Sequence, residues 1–189
     1  MSAGASHPPA LLLLAAFSRH ATALDWAAER AATEWGPIAL ASKSFDFAET
    51  DYYQPTMGSN LQKKFWVFER PIDPAHLATI KRLTIGWEHA FAVMAARGEA
   101  IGDDSTSITE IRPLNLDPGY LTTAKLVLAS TKDHTHRIYL QDSIFAEITL
   151  FFRHGRWEHH EWTFPDYRRP DYQEFFTQAR EFLKRDHLP

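Results

Sequence analysis

The sequence predicts an α+β fold: a ferredoxin-like split βαβ sheet extended by a C-terminal β-meander and a final helix. Three observations predict it. Two successive segments read strand, helix, strand; a set of period-two segments joined by short turns follows them; and the chain closes on one amphipathic stripe. A chain of 189 residues, 44% hydrophobic and 13% aromatic, hides roughly 70% of its unfolded surface, enough for one core without disulfides or metal staples. The expected organisation is a single domain over residues 9–189 behind a disordered tail, residues 1–8.

The first strand is read from PALLLLAAFSRHATA, residues 9–23. No Lys or Arg precedes the apolar run, so it lacks the positive region of a secretory signal, and it falls short of the roughly 20 apolar residues that span a bilayer. A buried strand is what remains. Thr22, with Asp25 three residues on, is the expected cap of a helix carrying Leu24, Ala28, Ala31 and Trp35, and Gly36-Pro37 stops it. IALASKSFDF, residues 38–47, is the next strand, TDYYQPTMGSN, residues 50–60, a turn-rich connection, and KKFWVFERPI, residues 63–72, a further strand. Asp73-Pro74 supplies a cap and a first-turn proline for the clearest helix, with Leu77, Ile80, Thr84, Trp87, Phe91 and Met94 at helical spacing up to Gly98. GEAIGDDSTS, residues 98–107, has loop composition, and TEIRPLNL, residues 109–116, completes the second βαβ unit. NLDPGY, residues 115–120, reads as a turn in which Pro118 fixes φ and Gly119 permits a positive one. In the last helix Pro170 sits at the start, and Tyr172, Phe175, Phe176, Ala179, Phe182 and Leu183 form the stripe.

The meander is where chemistry gathers. HRIYL, residues 136–140, and IFAEITLFF, residues 144–152, flank Gln141-Asp142-Ser143 as a three-residue hairpin loop, and a second turn at His154-Gly155 pairs Phe152 with Trp157 and Leu150 with His159. Alternation then places Ile138, Leu140, Ala146, Ile148, Leu150, Phe152 and Trp157 on a core face. The opposite face carries Arg137, Tyr139, Phe145, Glu147, Thr149, Phe151, His160 and Trp162, with Arg137 across from Glu147. Aromatic side chains beside charged ones on one sheet face read as a pocket wall. A one-residue slip would exchange the two faces.

Several chemistries can be drawn on these residues. His134 and His136 form an H-x-H, with His159, His160 and Glu161 on the neighbouring strand, but the spacing is too loose to specify a metal, and none is assigned. His20-Ala-Thr22 matches half of an H-x-T phosphodiesterase pattern whose second half is missing. Nucleotide-cradling glycine motifs, a nucleophile elbow and an H-E-x-x-H zinc motif are also missing. Lys125, Lys132, Arg137 and Arg168 form a candidate anion site, with Lys132 and Arg137 flanking one strand entrance. Asp166 in WTFPDYR is read as a turn cap that Arg168 neutralises. The overall balance, 20 Lys and Arg against 24 Asp and Glu, supplies no basic field and so disfavours nucleic acid. With no Cys, thiolate chemistry and disulfides are excluded, and a cytoplasmic setting without membrane contact is the simplest expectation.

FDFAETDYY, MGSNLQKKFWVFE, NLDPGYLTTAKLVLASTKDHTHRIYL, FAEITLFF and WTFPDYR, in this order, closely resemble the prokaryotic domain-of-unknown-function family numbered 4416, over about residues 10–183. The resemblance implies a single small domain and brings no reaction, cofactor or catalytic residue with it. It implies that Asp51, Asp117, Tyr120, Lys125, Lys132, His136, Arg137, Tyr139, Glu147, Asp166, Tyr167 and Arg168 belong to the characteristic blocks, whereas His134 and the segment TIGWEHA, residues 84–90, depart from them.

The functional expectation is a small anionic or phosphorylated ligand on the polar sheet face. Lys132 and Arg137 hold the anion, with Lys125, Asp166 and Arg168 in support; Tyr139 and Trp162 form apolar walls; and Glu147, His136 or Asp117 are candidates for moving a proton. No cofactor is specified. The alternatives are an interaction module or homo-oligomer using the same face, and, more weakly, RNA contact.

Overall fold

The computed structural model describes residues 7–99 and 108–188. Most of the expected tail and of the loop at residues 98–107 lies outside them. The elements run β1 (Ala10–Ser18), α1 (Ala21–Trp35), β2 (Ile38–Ala41), β3 (Phe45–Asp46), α2 (Gln54–Met57), β4 (Gln62–Ile72), α3 (Leu77–Ala96), β5 (Asn115–Leu121), β6 (Lys125–Ser130), β7 (Ile138–Gln141), β8 (Ile144–Arg153), β9 (Arg156–His159) and α4 (Pro170–His187). Short 3-10 turns precede α3 (Pro74–His76) and α4 (Pro165–Arg168).

Among the described residues nine strands form one antiparallel sheet in the order β2-β4-β1-β5-β6-β8-β7, with β3 also on β4 and β9 also on β8. The units β1-α1-β2 and β4-α3-β5 therefore interleave: each contributes one of the two central strands and one flanking strand. The fold is α+β, as the sequence predicts. All nine residues of β1 are buried, because the strand is central and covered on both faces. Leu12, Leu14 and Ala16 pack under α1 and α3 with Trp66, Phe68, Trp87 and Phe91. Leu11, Leu13 and Ala15 point the other way, under α4, with Phe65, Val67, Leu150 and Phe176.

Local chemistry sets several boundaries. Asp73 caps the turn into α3 by accepting from the Ala75 N–H at 2.9 Å. Thr22 does not cap α1: His20 occupies the N-cap without a side-chain bond, and Ser18 Oγ instead accepts the His20 N–H while donating to the Pro113 carbonyl at 2.6 Å. NLDPGYL is not a turn but β5 itself, while residues 109–112 are not strand. Gly119 is needed for close approach, since a Cβ there would stand 2.3 Å from the Val127 carbonyl oxygen. β5 pairs with β1 along its whole length, yet with β6 only from Gly119 to Leu121. Pro118, which has no N–H to offer, marks the point where the two strands part.

The meander corrects the expected faces. The β7-β8 loop is the two-residue turn Asp142-Ser143, both at positive φ (52° and 59°), with Gln141 paired to Ile144. Ile138 does pair with Ala146, and Leu150 with His159. The supposed core face nevertheless splits. Leu126 pairs with Leu150 and Leu128 with Glu147, so β8 fits three steps against two and bulges at Thr149. Residues beyond the bulge, Leu150, Phe152 and Trp157, pack under α4. Residues before it reverse: Ile144 and Ala146 face α3, Ile138 and Ile148 are left 73% and 42% exposed, and Glu147 is buried on the α4 side. Thr163 completes the bulge by donating its hydroxyl to the Thr149 carbonyl at 2.8 Å.

Candidate functional site

The sheet face under α4 is longer than the helix that covers it. Beyond the start of α4 the same face holds a cleft with a volume of about 480 Å³, within the usual range for small-molecule sites. Strand parity puts Phe17 of β1, Lys63 of β4, Asn115 and Asp117 of β5, Leu128 and Ser130 of β6 and Glu147 of β8 on its floor. Its walls are the segment around Tyr52 and Tyr53, the β6-β7 connection with Lys132 and His134, and Phe164 to Tyr167 at the turn before α4.

Three ion pairs are built into the floor. Lys63 Nζ donates to Asp166 at 2.5 Å with both side chains buried, and the rings of Phe17, Phe47, Phe65, Tyr167 and Tyr172 surround it with centroids between 4.4 and 5.8 Å. Lys81 reaches the cleft from α3, on the opposite face, and the parting of β5 from β6 makes that route available. Its ammonium donates to the Leu116 carbonyl at 2.7 Å and to Asp117 at 3.0 Å. Arg137 Nε donates to Glu147 at 2.7 Å, and its Nη1 donates to Ser130 Oγ and to the Lys132 carbonyl. Glu147 also meets His136 Nε2 at 3.0 Å.

A fourth group connects the cleft to α3. Arg112 donates to Asn115 and, at 3.3 Å, to Glu88; Asn115 donates to Asp117 at 2.7 Å; and Glu88 accepts the Leu116 N–H at 2.7 Å. Burial acts to raise the Asp117 carboxyl, but the ammonium groups of Lys81 and Lys63 and the bonds from Lys81 and Asn115 hold it below the usual carboxylate range. Glu88 goes the other way, pushed up by burial against the pull of Lys81 and Arg112. Burial, joined by the charge of Asp117, pushes the Tyr53 phenol up to about 12. Asp117 is thus an acceptor at neutral pH, and Tyr53 a donor.

The expected Arg137 and Glu147 contact is present, but as a buried pair with side chains 3% and 2% exposed, not as an exposed cross-strand pair. Lys132, Asp117 and Asp166 join them at the cleft, while His136 stands behind Glu147 and outside the lining. The other candidates lie elsewhere. Lys125 sits at the far end of β6 opposite Phe151. Tyr139 lies on the edge strand with its ring against Phe145. Trp162 is held between His136 and His160, stacked at 5.3 and 4.6 Å, because the chain leaves the sheet at His159 and does not continue β9. Arg168 does not neutralise Asp166; it donates to the carbonyls of Thr163 and Glu161 and fixes that loop, leaving Asp166 to Lys63. Among the described residues no group of three or more His, Asp and Glu is placed to hold a metal ion, and no helix is long and apolar enough to cross a membrane.

Sequence reasoning missed Lys63, Lys81, Arg112, Asn115, Tyr53 and Phe164. Two of these carried a signal. Lys63 shares strand parity with Phe65 and Val67, and Lys81 lies on the apolar stripe between Leu77 and Thr84, so each is a lysine at a position that its neighbours mark as buried. Arg112 and Phe164, in irregular segments, carried none.

The family model described as Domain of unknown function (DUF4416) matches residues 8–182, and the chain belongs to that family. No curated protein and no solved structure matches it.

Proposed function

For this member of the DUF4416 family we propose that the cleft binds a small anionic ligand. The observation that carries the reading is Lys132. It lines the cleft, yet among the described residues its ammonium has only neutral partners, the Tyr52 hydroxyl at 3.1 Å and the Tyr52 ring at 4.3 Å. Arg112 supports it: its side chain is 39% exposed and, among the described residues, its one carboxylate contact, to Glu88, is long at 3.3 Å. Arg137, by contrast, is spent on Glu147. The anion is therefore assigned to Lys132 and Arg112, with the buried pairs as a rigid floor.

Binding is favoured over proton transfer as the role of Asp117. A carboxyl held below its ordinary range is a weak base at neutral pH. Glu147, occupied by Arg137 and His136, is an acceptor already in use.

The test is thermal stabilisation by a panel of inorganic phosphate, sugar phosphates, nucleotides and dicarboxylates. A member that raises Tm in the parent and no longer does so in Lys132→Ala and Arg112→Ala, both folded, supports the reading; equal shifts in parent and variants refute it. A second reading, a homo-oligomer, is favoured by β7, an edge strand whose four residues are all exposed. Light scattering on the parent and on Ile138→Asp checks it: a dimer in the first and a monomer in the second would support that interface.

A further inference from the structure

We propose that the ligand is a nucleoside phosphate, with its flat heteroaromatic ring against Tyr52 and Phe164 at the mouth of the cleft and its phosphate on Lys132 and Arg112. This rests on the anion-binding reading above and names its ligand class. Tyr52 and Phe164 are 66% and 46% exposed although both line the cleft. A folded chain gains little from leaving two large rings open at one opening, whereas a π-faced ligand gains from both.

The arrangement of rings and cations is specific. Tyr52 lies over the Lys132 ammonium at 4.3 Å. Phe164 lies 6.0 Å from the Arg137 guanidinium. Arg137 in turn donates to the Lys132 carbonyl at 2.9 Å. Tyr52 is thus tied to Phe164 through Lys132 and through the buried Arg137, which holds the Lys132 backbone while its own charge stays on Glu147. Inorganic phosphate or a sugar phosphate would use the cations and ignore the rings. A nucleotide uses both, and stacking on such a ring strengthens binding on the order of tenfold.

The floor adds a third requirement. Asp117 keeps 30% of its side chain exposed and is ionised at neutral pH, so it repels a phosphate and accepts from a hydroxyl or an amino group. A ligand with its charge at one end and sugar hydroxyls or ring amino groups elsewhere satisfies mouth and floor together. A compact dianion satisfies only the mouth.

The deciding measurement is titration calorimetry on the full chain with adenosine and guanosine monophosphate, ribose 5-phosphate and inorganic phosphate. We expect at least one nucleotide to bind roughly tenfold or more tightly than ribose 5-phosphate. Phe164→Ala, at an exposed position, should keep the parental Tm, weaken the nucleotide and leave ribose 5-phosphate unchanged; Tyr52→Ala, which also removes the partner of the Lys132 ammonium, should weaken the nucleotide more than ribose 5-phosphate. Lys132→Ala should weaken all phosphates. If ribose 5-phosphate binds as tightly as either nucleotide, or if the ring variants change nothing, the ligand class is wrong while the anion site stands. If no phosphate compound binds, the ligand class falls, and the anion site falls with it when no dicarboxylate raises the Tm either.

Discussion

One sheet face does two jobs in this protein, and the boundary between them lies within single strands. On β1 and β4, Leu13, Ala15, Phe65 and Val67 meet Phe175 and Phe176 of α4 in an apolar layer, while one step further along the same parity Phe17 and Lys63 enter the cleft. On β8 the change occurs across the bulge, from Leu150 to Glu147. The covered half is held by contact area, which tolerates no missing volume. The open half is held by charge pairs, each of which constrains the orientation of its partner and leaves space above it. Covering half a face with a helix and lining the other half with paired charges makes a cleft on a single sheet face.

The largest effects should separate the two halves by how they can be repaired. Phe176→Ala removes a fully buried ring and should cost about 3–5 kcal/mol in urea unfolding, with no single compensating change. Lys63→Met leaves Asp166 buried and unpaired, a loss of about 3–5 kcal/mol, but adding Asp166→Leu should recover most of it, because a buried ion pair is worth little against an apolar pair of similar volume. If the double variant stays as unstable as the single one, the aromatic cage around Lys63 needs the cation itself, and the open half is as intolerant of repair as the covered one.

A smaller effect should come at the point where the halves are opened to each other. Gly119 is the place where β5 and β6 still touch, and an added Cβ meets backbone, not a movable side chain. Gly119→Ala should cost about 1–3 kcal/mol through forced separation of the strands. It should also move Lys81, which uses the adjacent gap, so that any ligand response weakens as well. Unchanged stability would mean that the β5-β6 contact is not a constraint on the cleft.

How much of this was legible depends on whether local pattern or long-range pairing decides each feature. β1, β4, α3 and α4 are written in unbroken apolar periodicity, and each is present where the pattern puts it. The Arg137 and Glu147 partnership followed from hairpin arithmetic. Its burial did not, because one extra residue at Thr149 reverses which side of β8 faces α4, and nothing in ITLFF signals a bulge. β5 reads as a turn in the sequence for a related reason: Pro and Gly inside NLDPGYL serve the parting of two strands and a close backbone approach, which are properties of the neighbour. Of the residues that line the cleft, the sequence reading names Lys132 and Arg137 and passes over Lys63 and Lys81, whose buried positions are visible as lysines in apolar registers.

The finest distinction between the halves is their response to acid. The apolar layer under α4 holds no carboxylate among its described buried residues, whereas Asp117 in the open half is ionised and held below its usual range by Lys81, Lys63 and Asn115, burial opposing them. A carboxyl whose folded pKa is depressed contributes stability above the unfolded value, about 3.9, and loses it as pH falls through the folded pKa. Glu88 acts in the opposite sense, since its raised pKa makes folding favour its protonated form, so acid relieves it over the range just above the unfolded value. The joint contribution of these two carboxyls should therefore hold or rise slightly between neutral pH and about pH 4, and fall below that. Asp117→Asn should flatten the fall below pH 4, and Glu88→Gln should remove the rise above it, both read by urea unfolding at stepped pH. An acid limb identical in parent and Asp117→Asn would show that the Lys81 contact does not select the ionised carboxylate, and the open half would then owe its rigidity to Lys63 and Arg137 alone.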